Sequence, residues 1–168
     1  MENEFNNISF ICNILNKNEV EYLIIGGMAV GLHGYIRYTT NLSNETIEKE
    51  DIDILYNPTY KNYFSLLNTL RDLGQNVSVF EAEQAPNPKK SFFKFEFPDF
   101  TLDFLPKLAN DVSFSDLFQR RELINVEKIE ISFLGYEDLI INKKFTARVK
   151  DLNDIKELEK IKNNPKNE

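Results

Sequence analysis

The feature that most constrains this chain is a pair of glycines placed directly after an apolar strand. Residues 20–25 read VEYLII, an almost wholly apolar run that predicts a central strand buried on both faces. Gly26 and Gly27 follow at once, and residues 27–32 predict a short helix that stops at Gly34. Free backbone N–H groups and the helix dipole at such a junction favour a bound phosphate. A simple tight turn would also explain two glycines, so the interpretation needs support from elsewhere.

Two aspartates at the start of the next predicted strand, which covers about residues 52–56, give that support. Asp51 and Asp53 are two residues apart, so in a strand they project from the same face. Carboxylates held this close repel each other. Mg²⁺ would relieve the repulsion, because it binds one or two carboxylates together with phosphate oxygens and water. The alternative is an exposed edge strand whose aspartates simply face solvent.

A third aspartate, Asp103, lies inside an apolar strand between Leu102 and Phe104. Buried acids are rare without a partner, so Asp103 is predicted to complete the acidic site. Three carboxylates on neighbouring strands suit a two-metal site, in which the ions lie about 4 Å apart. Together with the paired glycines, Asp103 argues against the exposed-edge explanation.

The remaining pattern predicts one α/β domain over residues 1–168, built on a mixed sheet flanked by helices, with a core at about 20–158. A hairpin is predicted from SFFKFEF and DFTLDFL, and a polar loop or insert from Asn41 to Glu50. Further helices are predicted over 6–16, 59–73, 113–118, 136–145 and 149–161, and further strands over 77–80 and 127–133.

Charge and composition exclude several classes of protein. The formal net charge of −7 disfavours a general binder of nucleic-acid backbones. The segment 142–168 nevertheless carries eight Lys and Arg against five Asp and Glu, which would suit either an anionic ligand or a solvated helix. Cys12 is the one cysteine and lies on an apolar stripe, so we expect a packed thiol and a cytoplasmic protein. No apolar run is long enough for a membrane span.

Two further polar residues near the glycines have alternative explanations. Arg37 would either pair with a phosphate or be an ordinary surface arginine. His33 is the only histidine, and a packed or helix-capping role is favoured over that of a general base.

These residues together resemble the nucleotidyltransferase superfamily, which has the DNA polymerase β-like fold. The likeness is to its small bacterial branch, near the abortive-infection-type and minimal nucleotidyltransferases. The family's opening motif stands here as IIGGMAVGLHGYIRYTT, its Asp-x-Asp as Asp51-Ile52-Asp53 and its third aspartate as Asp103. A C-terminal motif stands as DLIINKKFTARVKDLNDIKEL. The resemblance covers about residues 20–158, and the departure from it is the insert at 41–50.

The resemblance implies Mg²⁺-dependent transfer of a nucleoside monophosphate from an NTP to a hydroxyl on a protein, a tRNA or a small molecule. It implies that Asp51, Asp53 and Asp103 hold the metal, and that Gly26 and Gly27 cradle phosphates. Lys143 and Arg148 would steady the triphosphate, whereas Lys150 and Asp154 are expected in ion pairs on a helix surface. The alternative is a non-catalytic or weakly active partner protein, such as one component of a toxin–antitoxin pair.

Overall fold

A mixed sheet forms the centre of the protein. The computed structural model describes residues 2–36 and 49–164, and within them six strands pair in the order β3-β4-β2-β1-β6-β5. β1 is antiparallel to β2 and parallel to β6, and β2 is parallel to β4. The predicted mixed sheet and the central position of β1 are therefore confirmed. The strands are β1 Tyr22–Ile24, β2 Glu50–Tyr56, β3 Phe93–Glu96, β4 Phe100–Leu105, β5 Glu122–Val126 and β6 Ile129–Phe133.

Helices cover both faces of this sheet, and most begin where the sequence predicts. Thr59 caps α3 by accepting a hydrogen bond from the Asn62 N–H, and Ser113 caps α5 in the same way from Asp116. Gly34 follows the short helix α2 with a φ of 101°, the backbone conformation that favours glycine at a helix end. The helices are α1 Glu2–Lys17, α2 Gly26–Leu32, α3 Tyr60–Asp72, α4 Ser78–Glu81, α5 Phe114–Gln119, α6 Tyr136–Thr146 and α7 Val149–Asn163.

Two elements differ from the sequence-based prediction. The segment 77–80 was predicted as a strand, but Ser78–Glu81 forms a helical turn. Buried Val77 and half-buried Phe80 are three residues apart and so share one face of that turn, where Phe80 contacts the Phe93 ring with centroids 4.9 Å apart. The strand β5 was not predicted; it pairs antiparallel with β6 at the edge of the sheet.

Separate apolar layers lie on the two faces of the sheet. On one face, α1 and α3 pack against strand residues that include Ile52, Ile54 and Leu102. On the other face, α2 and the C-terminal helices pack against Leu23 and Leu55. β2 contributes to both layers because its side chains alternate. The aspartates Asp51 and Asp53 share the face of Leu55, so they extend the second layer into a polar surface.

Several predictions concern residues outside those that the structure describes. Arg37 lies there, as do residues 41–48 of the polar segment. Cys12 is fully buried on α1, which confirms the predicted packed thiol, and burial raises its pKa to about 12. Among the described helices, none combines the length and apolar character required to cross a membrane.

Candidate active site

The three predicted aspartates come together on adjacent parallel strands. In the β2–β4 register Asp53 lies opposite Asp103, and Asp51 lies opposite Thr101. Since residues i and i+2 of a strand share a face, all four side chains project from the same surface of the sheet. The strand pairing therefore brings together carboxylates that are 50 residues apart in sequence. This surface is the candidate active site.

Asp51 and Asp103, the two aspartates on either side of Asp53, each accept a hydrogen bond from a neighbouring side chain. The Thr101 hydroxyl donates a hydrogen bond to Asp51 Oδ1. Asp103 Oδ2 accepts a hydrogen bond from Lys94 Nζ at 3.2 Å, across the β3–β4 pairing. Asp103 Oδ1 is buried and has no hydrogen-bond partner among the described residues. A buried acceptor without a donor is costly, so this oxygen is prepared for a ligand.

Gly26 brings the backbone against the central aspartate. Its φ is +65°, in the left-handed region where glycine is favoured, and a Cβ added there would overlap Asp53 Oδ2 and lie 3.1 Å from Asp53 Cγ. The Ile25 N–H donates to the Asp53 carbonyl at 3.0 Å, which fixes β1 and α2 beside β2. Gly26 and Gly27 thus begin α2 directly next to the carboxylates. The first glycine is needed for close approach as well as for the turn.

The position of Asp53 among these groups changes its acidity. Burial, followed by the negative charges of Asp103 and Asp51, raises the Asp53 pKa to about 6. The positive charges of Lys150 and Arg148 act in the opposite direction and hold the pKa lower than it would otherwise be. Like charges this close favour a bound cation. Arg148 and Lys150 are thus close enough to act electrostatically on Asp53.

Arg148 is fixed at the start of α7 by a buried aspartate. Asp151 Oδ2 accepts hydrogen bonds from the Arg148 backbone N–H at 3.2 Å and from Nε at 2.6 Å. Burial alone would raise the pKa of Asp151, but the hydrogen bonds from Arg148 and Thr146 and the charge of Lys143 outweigh burial and hold it below its usual range. The Arg148 side chain remains 60% exposed, which leaves part of the guanidinium accessible to a ligand.

Lys143 lies in the interior, behind Arg148. Its side chain is 4% exposed, and its ammonium contacts Asp154 Oδ2 at 2.6 Å and Asp151 Oδ1 at 3.2 Å. The prediction that Asp154 belongs to a surface ion pair is wrong, because Asp154 is fully buried in this contact. Lys150 is exposed, which agrees with the surface position predicted for it. The ammonium of Lys143 is thus engaged by two carboxylates that connect α6 with α7.

His33 has the packed role that the sequence favours. Its Nε2 lies 2.8 Å from the Leu134 carbonyl oxygen, and its ring makes edge contacts with Phe133 and Tyr136. It also ends α2, and its backbone N–H donates to the Ala29 carbonyl. His33 therefore connects the end of α2 to β6 and α6.

The sequence reasoning missed Lys94. A lysine within the otherwise alternating FFKFEF stretch was the available signal, because the predicted hairpin places that stretch beside the strand of Asp103. The β3–β4 register sets Lys94 directly opposite Asp103, and this register depends on the turn at residues 97–99.

The residues present suit a divalent cation, although no three-ligand set is preformed. In residues 2–36 and 49–164, no group of three His, Cys, Asp or Glu side chains is arranged to hold a metal. Asp51 and Asp53 nevertheless offer carboxylate oxygens on one face, and the raised pKa of Asp53 reflects a local excess of negative charge. Mg²⁺ needs only one or two protein carboxylates when phosphate oxygens and water complete its shell.

The fold and this arrangement of residues define the nucleotidyltransferase class. More specifically, the chain belongs to the family described as nucleotidyltransferase of unknown function (DUF6036), whose model matches residues 5–164. Among curated proteins, none matches the sequence.

Solved structures agree on the fold. The antibiotic-resistance factor ANT(2″)-Ia is similar with a TM-score of 0.57 and 16% identity, covering 94% of this chain and 84% of that one. The lincosamide antibiotic adenylyltransferase LnuA, solved with lincomycin bound, is similar with a TM-score of 0.56 and 19% identity, covering 90% of this chain and 94% of that one. At these identities the likeness establishes the shared fold alone.

Proposed function

We propose that this protein is a Mg²⁺-dependent nucleotidyltransferase that transfers a nucleoside monophosphate from an NTP to a hydroxyl group. The observation that carries the proposal is the opposition of Asp53 and Asp103 across β2 and β4, next to Gly26 and within electrostatic reach of Arg148 and Lys150. Membership in a nucleotidyltransferase family supports the reaction class. The acceptor would be a hydroxyl of a protein, a tRNA or a small molecule, the classes predicted from the sequence.

The acidic residues would bind the metal ion, and the backbone N–H groups and basic residues would bind the phosphates. Asp51 and Asp53 would hold Mg²⁺, which when bound supplies charge neutralisation for the triphosphate. Gly26, Gly27 and the following backbone N–H groups would contact phosphate oxygens. Arg148 has an exposed side chain and Lys150 is an exposed residue, both act electrostatically on Asp53, and both suit the anionic leaving group. Arg37 is the further phosphate contact that the sequence predicts.

Lys143 would serve this site indirectly. Its ammonium neutralises Asp151 and Asp154, and Asp151 in turn holds the Arg148 guanidinium and backbone. We therefore propose that Lys143 positions Arg148 instead of contacting the triphosphate itself. The predicted contact between Lys143 and the triphosphate would require its buried ammonium to leave both aspartates.

Asp103 would act on the acceptor. Its buried Oδ1 lacks a partner in the described part of the chain, so it is available to take the proton of the attacking hydroxyl. The acceptor oxygen then forms a bond to the α-phosphorus, and the bond from that phosphorus to its bridging oxygen breaks. Pyrophosphate leaves with the bonding electron pair, near the cations of Arg148 and Lys150.

Label transfer tests the proposal directly. The purified chain is incubated with Mg²⁺ and each of the four α-³²P-labelled NTPs, with bacterial lysate, total tRNA or a panel of hydroxylated antibiotics as acceptors. We expect one or more NTPs to label an acceptor, and EDTA or Asp51→Asn to abolish the labelling. Asp99→Asn, an acidic residue outside the β2–β4 surface, is the matched control. Absence of both label transfer and NTP binding would contradict the proposal.

A second candidate function is that of a partner protein, for example one component of a toxin–antitoxin pair. Exposed apolar side chains on the last two helices favour it: Phe145 is 63% exposed, Val149 88% and Leu152 54%. Co-expression with the products of neighbouring genes, followed by affinity purification, tests this candidate. A partner that binds wild type and Asp51→Asn equally well, but not Val149→Asp, would support binding without catalysis.

A further inference from the structure

A lysine occupies the outer side of the acidic surface. Three strands contribute one residue each to a row across the sheet: Asp53 on β2, Asp103 on β4 and Lys94 on β3. Asp103 is the middle member, so it has an aspartate on one side and a lysine on the other. The order of charges in this row is negative, negative, positive.

The contact between Lys94 and Asp103 involves only one of the two carboxylate oxygens of Asp103. Lys94 Nζ lies 3.2 Å from Asp103 Oδ2, while Oδ1 is buried without a partner among the described residues. The lysine side chain is 50% exposed and that of Asp103 20% exposed. Lys94 thus reaches Asp103 from the solvent side at the edge of the sheet.

We propose that Lys94 supplies at Asp103 the positive charge that a second divalent ion would otherwise supply, so that the site takes a single divalent ion. This inference rests on the proposed function and changes the two-metal expectation drawn from the sequence. The single ion belongs to Asp51 and Asp53, and Asp103 remains paired with Lys94.

Charge and ligand supply both favour one ion. An ammonium and a divalent cation repel each other and cannot occupy the same side of one carboxylate. Lys94 is part of the chain, so its effective concentration at Asp103 is on the order of millimolar or higher. A second ion would find Asp103 Oδ2 already paired with Lys94, which leaves only Oδ1 of that carboxylate as a ligand.

Manganese stoichiometry tests this inference without measuring turnover. Mn²⁺ bound per chain is determined by electron paramagnetic resonance, with the chain saturated by an ATP analogue whose α,β-bridge is a methylene group. We expect one Mn²⁺ per chain for wild type and for Lys94→Arg. For Lys94→Met and Lys94→Gln, which remove the charge, we expect the stoichiometry to rise to two.

A matched control is Lys17→Met. Lys17 forms an ion pair of similar length with Asp72, 3.1 Å, on helices that pack against the opposite face of the sheet. This variant should keep one Mn²⁺. Thermal unfolding of each variant verifies that it is folded before titration.

The outcomes separate the two proposals. Two Mn²⁺ ions in wild type, or a stoichiometry that stays at one in both neutral Lys94 variants, would overturn the role of Lys94 and leave the nucleotidyltransferase proposal standing. Absence of binding of both Mn²⁺ and the analogue to wild type would overturn the proposed function itself, and the Lys94 inference with it.

Discussion

At Gly26 the backbone conformation and the acidic site depend on each other. The residue has φ +65°, and the space that a side chain would fill is taken by the Asp53 carboxylate. Any L-residue at this position would suffer backbone strain and push Asp53 away from Asp103. The glycine therefore sets the position of the central carboxylate.

We expect Gly26→Ala to destabilise the protein by about 1–3 kcal/mol and to abolish nucleotidyl transfer. The matched control is Gly31→Ala in the same helix, where an added Cβ meets no atom within 4 Å. That change should increase stability by about 0.5–1 kcal/mol, because alanine favours a helix interior. Urea unfolding of both variants measures the difference; equal stabilities would contradict the assigned close approach.

Asp53 gives the metal-free protein a specific pH dependence. Its pKa is raised from 3.8 to about 6 by burial and by its acidic neighbours, so the folded state favours the protonated form. The associated stabilisation is complete below about pH 4 and is lost as the pH rises through about 6. At pH 8 the charged Asp53 thus destabilises the fold.

Asp53→Asn should therefore stabilise the protein in EDTA at pH 8, by about 1–3 kcal/mol, since one pKa unit corresponds to about 1.4 kcal/mol. The gain should vanish as the pH is lowered toward about 4, where wild-type Asp53 is already protonated. Denaturant titrations at a series of pH values measure it. A gain that is independent of pH would show that burial and the acidic neighbours do not raise the Asp53 pKa as described.

Among the secondary-structure elements, the contact between helices α6 and α7 keeps the basic side chain of Arg148 in place beside the site. Lys143 on α6 bridges Asp151 and Asp154 on α7, and Asp151 also binds Thr146 and Arg148. The short connection between the helices includes Ala147 in a left-handed conformation, φ 49°. The network thus fixes both the helix pair and the position of the arginine.

Lys143→Met should cost about 3–5 kcal/mol, because it removes the buried ammonium that neutralises Asp151 and Asp154 together. Lys160→Met breaks only the exposed pair with Glu157 and should change stability by less than about 1 kcal/mol. Urea unfolding compares the two. A small effect at Lys143 would mean that Asp151 and Asp154 are satisfied without it.

Element identity was predictable where periodicity and capping residues agree. Thr59 and Ser113 mark helix starts correctly, and alternating residues mark β4 and β6. The segment 77–80 has strand-forming valines, but its structure is set by the packing of Phe80 on Phe93, a contact between residues distant in sequence. In the edge strand β5, Leu123 is 47% exposed and the apolar residues do not alternate clearly. This segment is therefore recognisable as a strand only from its pairing with β6.

Only the part of the site that depends on local geometry was predictable from the sequence. The shared face of Asp51 and Asp53 follows from strand geometry alone. The register that sets Asp103 opposite Asp53, and Lys94 opposite Asp103, depends on pairing between strands and is not contained in any local pattern. The burial of Lys143 was equally unpredictable, because its partners Asp151 and Asp154 come near it only when α6 and α7 pack together.

In the molecule as a whole, both faces of the sheet carry an apolar layer, but only one of them also carries the candidate site. One apolar layer joins α1 and α3 to the sheet, and the other joins α2 and the C-terminal helices. The candidate site lies on the second face, with carboxylates from β2 and β4 and cations from the start of α7. A ligand that binds there contacts elements from both halves of the chain and should stabilise all of them together.

We therefore expect Mg²⁺ with the preferred NTP to raise the melting temperature. At a ligand concentration of about 100 times Kd the stabilisation is about 2.7 kcal/mol. For a chain of this size this corresponds to a shift of about 5–10 °C. Differential scanning fluorimetry with Mg²⁺ alone, NTP with EDTA, and both together measures the shift. Asp51→Asn should lose the shift with both ligands; a shift of undiminished size would place the ligand elsewhere.

The alternation along β2 also limits how this family can diverge. Ile52, Ile54 and Tyr56 of β2 belong to the apolar layer under α1 and α3, and the alternate positions include Asp51 and Asp53. A single inserted or deleted codon after Asp51 would exchange the two sets and bury an acid in place of an isoleucine. We expect natural relatives to accept substitutions in this strand far more readily than changes in its length.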